Sequence, residues 1–160
     1  GNTPSIVRAM PNLPAAIGCG FTAITLGRAA SAGHRRMAAA LFGAAGAVCE
    51  LPARLFEAVT AVSGSGPAYV FFLVQAWEDA ARALGLPPAA AAQAIRQTLS
   101  GSACLLSASR EGAGALISAV ASKGGTTQAA LKVLARRRVS AHIVEALRAA
   151  ARRSAQLSWS

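Results

Sequence analysis

Thr60-Ala61-Val62-Ser63-Gly64-Ser65-Gly66-Pro67-Ala68-Tyr69 is the stretch that decides the fold. The run from Arg54 to Val62 before it has helical character and is expected to stop at Ser63-Gly64-Ser65-Gly66. Pro67 then opens a second run, Ala68 to Leu84. Serine ahead of Gly-Pro is a helix-start signal. The Ser65 hydroxyl can accept from free first-turn amides, and Pro67 is tolerated there because its missing N–H has no helical partner. The second run begins with Ala68, Val70, Phe71, Phe72, Leu73 and Val74, apolar on every side. A helix of that kind must be covered on all faces by protein or by lipid. It is read as the central helix of the chain.

Composition decides between the two kinds of cover. Only 14% of the 160 residues are charged, against about a quarter in ordinary soluble domains. Charge-free stretches from Met10 to Gly27 and from Ala58 to Trp77 reach the length of a membrane span. Both are broken by glycine and proline clusters, Pro11-Asn12-Leu13-Pro14 in one and Ser63 to Pro67 in the other. A helix buried at a subunit interface is the better reading, with no membrane partner.

Cys19, Cys49 and Cys104 form no Cys-x-x-Cys pair and leave an odd count, so neither a disulfide framework nor a zinc site is expected. His34 and His142 stand far apart with no ligand-spaced neighbours, so no metal is expected. Reduced thiols and an intracellular, cytoplasmic setting follow. Gly1 is not an initiator methionine and no charged-then-apolar leader follows it. The sequence therefore reads as a processed, engineered or truncated product, not as a secretory precursor.

The formal charge of +10 raises a nucleic-acid reading. The positive residues collect late, at Lys132, Arg136, Arg137, Arg138, Arg148, Arg152 and Arg153. They lack interleaved aromatics for base stacking and match no recognition motif. A solvated basic face that steers an anionic ligand is favoured, with nucleic acid as the minority alternative.

In chain order, Ser5 to Met10 is a short strand ended by Pro11-Asn12-Leu13-Pro14. As a lone strand without a partner, it is expected to be the last strand of a sheet lying outside this sequence. Phe21 to Leu26 reads as a weak second strand, His34 to Ala45 as a helix ended by Gly46, and Val48 to Leu51 as extended. After the central helix, Gly85-Leu86-Pro87-Pro88 stops and restarts the chain. A helix from Ala89 to Ala108 follows, with Ile95, Leu99, Leu105 and Leu106 as core, Arg96 and Gln97 outward, and Gly101 allowing another helix to approach. Ala113 to Ala121, Thr126 to Leu134 and Val139 to Leu157 complete a mainly helical bundle.

Ser122-Lys123-Gly124-Gly125-Thr126-Thr127 precedes a helix. A Gly-Gly pair lets a ligand approach the backbone, and the helix start offers unpaired amides suited to a carboxylate or phosphate. The same residues also serve as a simple helix cap, and spacing leaves both readings open.

Taken together, Val7 to Pro14, Ala58 to Tyr69 and Ser122 to Thr127 resemble the pyrroline-5-carboxylate reductase family in order and spacing. Gly85-Leu86-Pro87, Gln97-Thr98, Ile143 to Ala146 and Arg152-Arg153-Ser154 fit the same pattern. The resemblance implies a mainly α fold, a helical dimerisation domain like the C-terminal part of 6-phosphogluconate dehydrogenase, behind a strand remnant of a Rossmann domain. On it, residues 1–12 are the last strand and nicotinamide-side turn of that Rossmann domain, 13–51 a connecting segment with one helix, and 52–160 the helical dimerisation and substrate-binding domain.

The implied activity is NAD(P)H-dependent reduction of 1-pyrroline-5-carboxylate to L-proline, the last step of proline biosynthesis. Thr60 is then the catalytic residue facing the ring nitrogen. Ser63, Ser122, Gly124, Gly125, Thr126 and Thr127 hold the imino-acid substrate, and Met10, Pro11 and Asn12 meet the cofactor. NADPH or NADH would be bound mainly by a domain outside this chain, because no Gly-x-Gly-x-x-Gly follows a strand here. A homodimer through the central helix, with higher oligomers beyond it, is implied as well.

Two departures stand out. The family usually has proline at Lys123 and an acidic, glycine-containing turn near Arg136-Arg137-Arg138. The alternatives to a reductase are a non-catalytic helical dimerisation module and a basic nucleic-acid binder.

Overall fold

The computed structural model describes residues 3–157. They form two compact units, one of residues 3–70 with 144–157 and the other of residues 71–143.

The first unit is built on a three-stranded sheet: β1 (Val7–Met10), β2 (Gly20–Leu26) and β3 (Gly46–Glu50), in the order β1-β2-β3. β1 pairs antiparallel with β2, Val7 opposite Leu26 and Met10 opposite Ala23. β2 pairs parallel with β3, Gly20 opposite Gly46 and Ile24 opposite Glu50. The expectation of a first strand without a partner is thus corrected. The 3-10 turn Leu13–Ile17 ends on Gly18 in the left-handed region and reverses the chain, so β2 returns beside β1.

β2 is flanked on both sides. Gly20, Thr22, Ala23 and Ile24 are buried in near-continuous fashion, as a central strand should be. The parallel step from β2 to β3 runs through helix α1 (Ala32–Gly43), which packs on both strands. Gly46 lies at φ 142° with its α-carbon against the Gly20 backbone, an approach no side chain would permit.

The segment after β3 changes pitch three times: a 3-10 turn (Ala53–Leu55), a single α turn, α2 (Phe56–Val59), and a π turn (Thr60–Gly64). Helix α3 (Gly66–Ala83) follows directly. The expected stop at Ser63 to Gly66 is therefore a change of helical pitch. Ser65 is right-handed helical, and its backbone N–H donates to the Thr60 carbonyl at 2.8 Å. Its hydroxyl caps no amide among the described residues.

Phe56 anchors this segment to the sheet. Fully buried, it packs with Ala23 and Val59, backed by Met10, Phe21 and Leu51. Such burial contributes about 1.5–3 kcal/mol. The Arg8 guanidinium lies 4.6 Å from its ring centroid, a cation–π contact worth about 0.5–1 kcal/mol.

The second unit contains most of α3, then α4 (Pro88–Ala108), α5 (Ala113–Val120) and α6 (Thr126–Arg136). Gly85 at φ 83° ends α3, and Pro88 opens α4. Its core is small: Ala81, Ala91 and Ile95, with Val74 and Leu99 against them. Leu105 and Leu106, expected in the core, are 57% and 47% exposed. Nothing approaches Gly101 within 4 Å. Helix α7 (Val139–Leu157) closes the described chain.

Along α3, Val70, Phe71, Phe72, Leu73 and Trp77 are all exposed, Phe72 to 69%. The helical run Ala53–Ala83 is long and apolar enough to cross a membrane by length and composition. It is interrupted by the 3-10 and π turns. The chain exposes 11573 Å². A compact monomer of its mass exposes about 7,400 Å², and two separate compact units of half that mass about 9,000 Å². Val70, Phe71, Phe72, Leu73 and Trp77 are among the large apolar side chains that stay exposed on this chain.

Candidate functional site

The first group of candidate residues stands where the turn after β1 meets the π turn. Asn12 is half-buried, and both ends of its amide are engaged. The backbone N–H of Phe21, at the start of β2, donates to Asn12 Oδ1 at 2.9 Å. Asn12 Nδ2 donates to Ser63 Oγ at 3.1 Å. The first bond fixes the second, because a backbone N–H can only donate and so the carbonyl end of the amide must face Phe21. Pro11 is exposed beside it, and Met10 is half-buried.

Met10 reaches over Gly64: its Cε lies 2.5 Å from where a β-carbon at residue 64 would stand. A β-carbon there would require the Met10 methyl, the end of a flexible side chain, to move aside. The π turn adds one residue to the helical path, a device found often at functional sites. Thr60 is half-buried at its start, its carbonyl held by Ser65, and its hydroxyl makes no hydrogen bond among the described residues. Tyr69, one turn into α3, has a buried phenolic oxygen without a hydrogen-bond partner among the described residues.

The second group is the loop into α6. Gly124 has φ 76°, and the Gly125 N–H donates to the Ser122 carbonyl at 3.0 Å. The Gly124 N–H donates to Gln128 Oε1 at 3.0 Å. Gly125 is the N-cap residue and has no side chain to cap with. The amides of Thr126, Thr127 and Gln128 therefore make no hydrogen bond within the described residues. Three free donors at the positive end of an eleven-residue helix suit an anion. Ser122, Lys123, Gly124 and Thr126 are exposed, while Gly125 and Thr127 are half-buried.

Asn12 and Ser63 meet through a hydrogen bond, and Ser122 to Thr127 stand together at the start of α6; several further structural details have no counterpart in the sequence reading. His34 forms a reciprocal capping box with Ser31 at the start of α1: Ser31 N–H donates to Nδ1 at 3.0 Å. The Ser-x-x-His spacing is the available signal. Arg138, between α6 and α7, sits at φ 53°, a conformation that glycine adopts freely. No group of three metal-ligating side chains exists among the described residues.

An exposed apolar helix follows a π turn tied to a small sheet, and further along the chain the start of α6 offers free amides. The family model "Pyrroline-5-carboxylate reductase dimerisation" matches residues 53–157. The chain belongs to that family.

Among curated relatives, a pyrroline-5-carboxylate reductase of Synechocystis sp. is 43% identical over 153 residues, covering 96% of this chain and 57% of that protein. One of Arabidopsis thaliana is 40% identical, covering 96% and 56%. The solved Plasmodium falciparum pyrroline carboxylate reductase with NADP bound superposes with a TM-score of 0.92 at 27% identity, covering 96% of this chain and 62% of that one. The Coxiella burnetii enzyme gives 0.90 at 34%, covering 96% and 57%. The chain thus spans little more than half the length of the relatives it matches.

Proposed function

We infer that this chain is the dimerisation and substrate-binding part of a pyrroline-5-carboxylate reductase, which reduces 1-pyrroline-5-carboxylate to L-proline as the last step of proline biosynthesis. The observation that carries the reading is the family match over residues 53–157, which contains both the π-turn motif and the loop into α6.

The substrate carries one carboxylate and one C=N bond. The free amides of Thr126 and Thr127 and the hydroxyls of Ser122 and Thr127 hold the carboxylate by charge-assisted hydrogen bonds, and Gly124 and Gly125 let it approach the backbone. Thr60 faces the ring nitrogen and fixes the plane of the imine. Ser63, held by Asn12, is a further substrate-binding residue beside Thr60. Fixing the ring in this way supplies the orientation that hydride addition needs, and apolar cover excludes water from it.

The residues at hand fit only one end of a dinucleotide. With both ends of the Asn12 amide engaged, Met10 and Pro11 present an apolar edge suited to the nicotinamide ring. No Gly-x-Gly-x-x-Gly follows a strand in these 160 residues to cradle the phosphates. NADPH or NADH is accordingly held mainly by residues beyond this chain, and when bound it supplies the hydride. A substrate that enters as the protonated iminium takes that hydride at carbon and needs no proton from Thr60.

A second copy covers α3, giving a homodimer and, beyond it, larger assemblies in the cytoplasm. The 11573 Å² of exposed surface supports that arrangement. The test is the intact mass of the natural polypeptide in its source cell. A mass well above 16.1 kDa is expected, because a cofactor domain must accompany this part. A mass close to that value would make the chain a free-standing dimerisation module.

A further inference from the structure

We propose that Asn12 is a positioning residue whose amide ties the π turn to the sheet and so holds the Thr60 hydroxyl in the direction that hydride addition to the imine requires. The proposal rests on the reductase reading above, and every residue it uses belongs to the first unit.

Thr60 is bracketed by two attachments to one sheet. Immediately before it, Val59 belongs with Phe56 and Ala23 to one buried cluster. Three residues after it, Ser63 Oγ accepts from Asn12 Nδ2 at 3.1 Å, while Asn12 Oδ1 accepts from the Phe21 N–H at 2.9 Å. Asn12 is thus a strut between the start of β2 and the π turn. It makes the only side-chain hydrogen bond to that turn among the described residues.

The strut matters because π pitch is rare and an α turn is its ready alternative. The π turn closes through the Ser65 N–H on the Thr60 carbonyl at 2.8 Å. Rewinding to about 3.6 residues per turn would rotate what precedes the turn by about 100° relative to α3. With Phe56 and Val59 buried against the sheet, that rotation falls on Thr60 to Ser63.

Packing sets the direction of Thr60 at closer range. Its methyl, Cγ2, lies 3.7 Å from where a β-carbon on Gly64 would stand, on the same glycine that the Met10 methyl covers. A β-branched side chain has few χ1 states, so a methyl seated beside Gly64 fixes where the hydroxyl points. Releasing Ser63 loosens Gly64 and frees Thr60 to turn. The hydroxyl that meets the ring nitrogen sets the plane of the imine, so losing its direction costs alignment in the transition state more than binding.

In the full-length enzyme, Asn12→Ala is expected to lower kcat at least about tenfold, with KM for 1-pyrroline-5-carboxylate and for NADPH each within about threefold of wild type. Thr60→Ala should lower kcat as well. The double variant should be no slower than Thr60→Ala alone, because the strut acts only through that hydroxyl. A direct cofactor contact by Asn12, or a general loosening of the fold, would instead multiply with the loss of Thr60.

An unchanged kcat in either single variant, or losses that multiply in the double one, would overturn the proposal. If Asn12→Ala does not fold, Ser63→Ala takes its place in the same cycle, since it cuts the tie and leaves the Asn12–Phe21 bond intact; unchanged kcat or multiplied losses there reject the role. A wild-type enzyme that forms no proline rejects the reductase reading instead, so the two failures are distinguishable.

Discussion

The Ser122 hydroxyl occupies the space that a β-carbon on Gly125 would need, and the Ser122 carbonyl lies 3.2 Å from that point. A β-carbon at 125 is opposed by proximity to Ser122 alone, since its φ of −78° is open to any residue. Gly125→Ala forces the exposed Ser122 side chain aside and shifts the loop by a few tenths of an ångström. We expect stability to change by no more than about 1 kcal/mol, while KM for the imino acid rises several-fold. Steady-state kinetics beside a thermal melt check this. An unchanged KM would remove the Ser122–Gly125 turn from the site.

Thr127 is the second residue of α6, half-buried, and neither its amide nor its hydroxyl makes a hydrogen bond among the described residues. Thr127→Ala in the complete enzyme should raise substrate KM more than it lowers kcat. A contact to the carboxylate holds ground state and transition state alike. A fall in kcat at constant KM would assign Thr127 to the reacting centre instead.

Arg138 stands at φ 53° between α6 and α7. The left-handed conformation costs about 1–2 kcal/mol for a residue with a β-carbon, and glycine gives back part of that through its freer unfolded state. Arg138→Gly should stabilise the protein by about 0.5–1 kcal/mol, seen as a rise of a few degrees in Tm. A lower Tm would mean that the Arg138 side chain holds the turn through contacts that outweigh the strain.

Phe72 is exposed on α3 of the single chain, so an aspartate there is solvated in a monomer and buried in an assembly. Burying an unpaired carboxylate is prohibitive. Phe72→Asp should leave helix content near wild type by circular dichroism and shift the sedimenting species to the monomer. An assembly of unchanged mass would move the interface away from α3.

Local chemistry makes much of this fold legible. Proline and glycine at 85–88 punctuate α3 and α4, and the Gly-Gly pair marks the start of α6. The apolar run from Val70 to Val74 signals a helix in need of cover. Pairing is harder to read. Val7 to Met10 looks unpartnered because its partner lies beyond a turn made by Leu13 to Ile17, and neither strand alternates cleanly enough to show its register. Leu105 and Leu106 are expected in a core that one chain does not possess. Hydrophobicity reports the need for burial without saying which molecule supplies it. The pitch change at Thr60 is hidden because Ser-Gly-Ser-Gly reads as a break, whereas the Phe56 anchor and the Asn12 bond hold it helical. The Asn12–Ser63 pair itself is a contact across fifty-one residues, and no local pattern announces it.

The most direct measurement is the formation of L-proline by the natural polypeptide given 1-pyrroline-5-carboxylate and NADPH, followed together with cofactor oxidation. The account predicts stoichiometric production of both, abolished when Thr126 and Thr127 are replaced together by proline, which removes two of the free amides. A pure, assembled polypeptide that oxidises no NADPH and yields no proline would contradict it and leave a helical association module in its place.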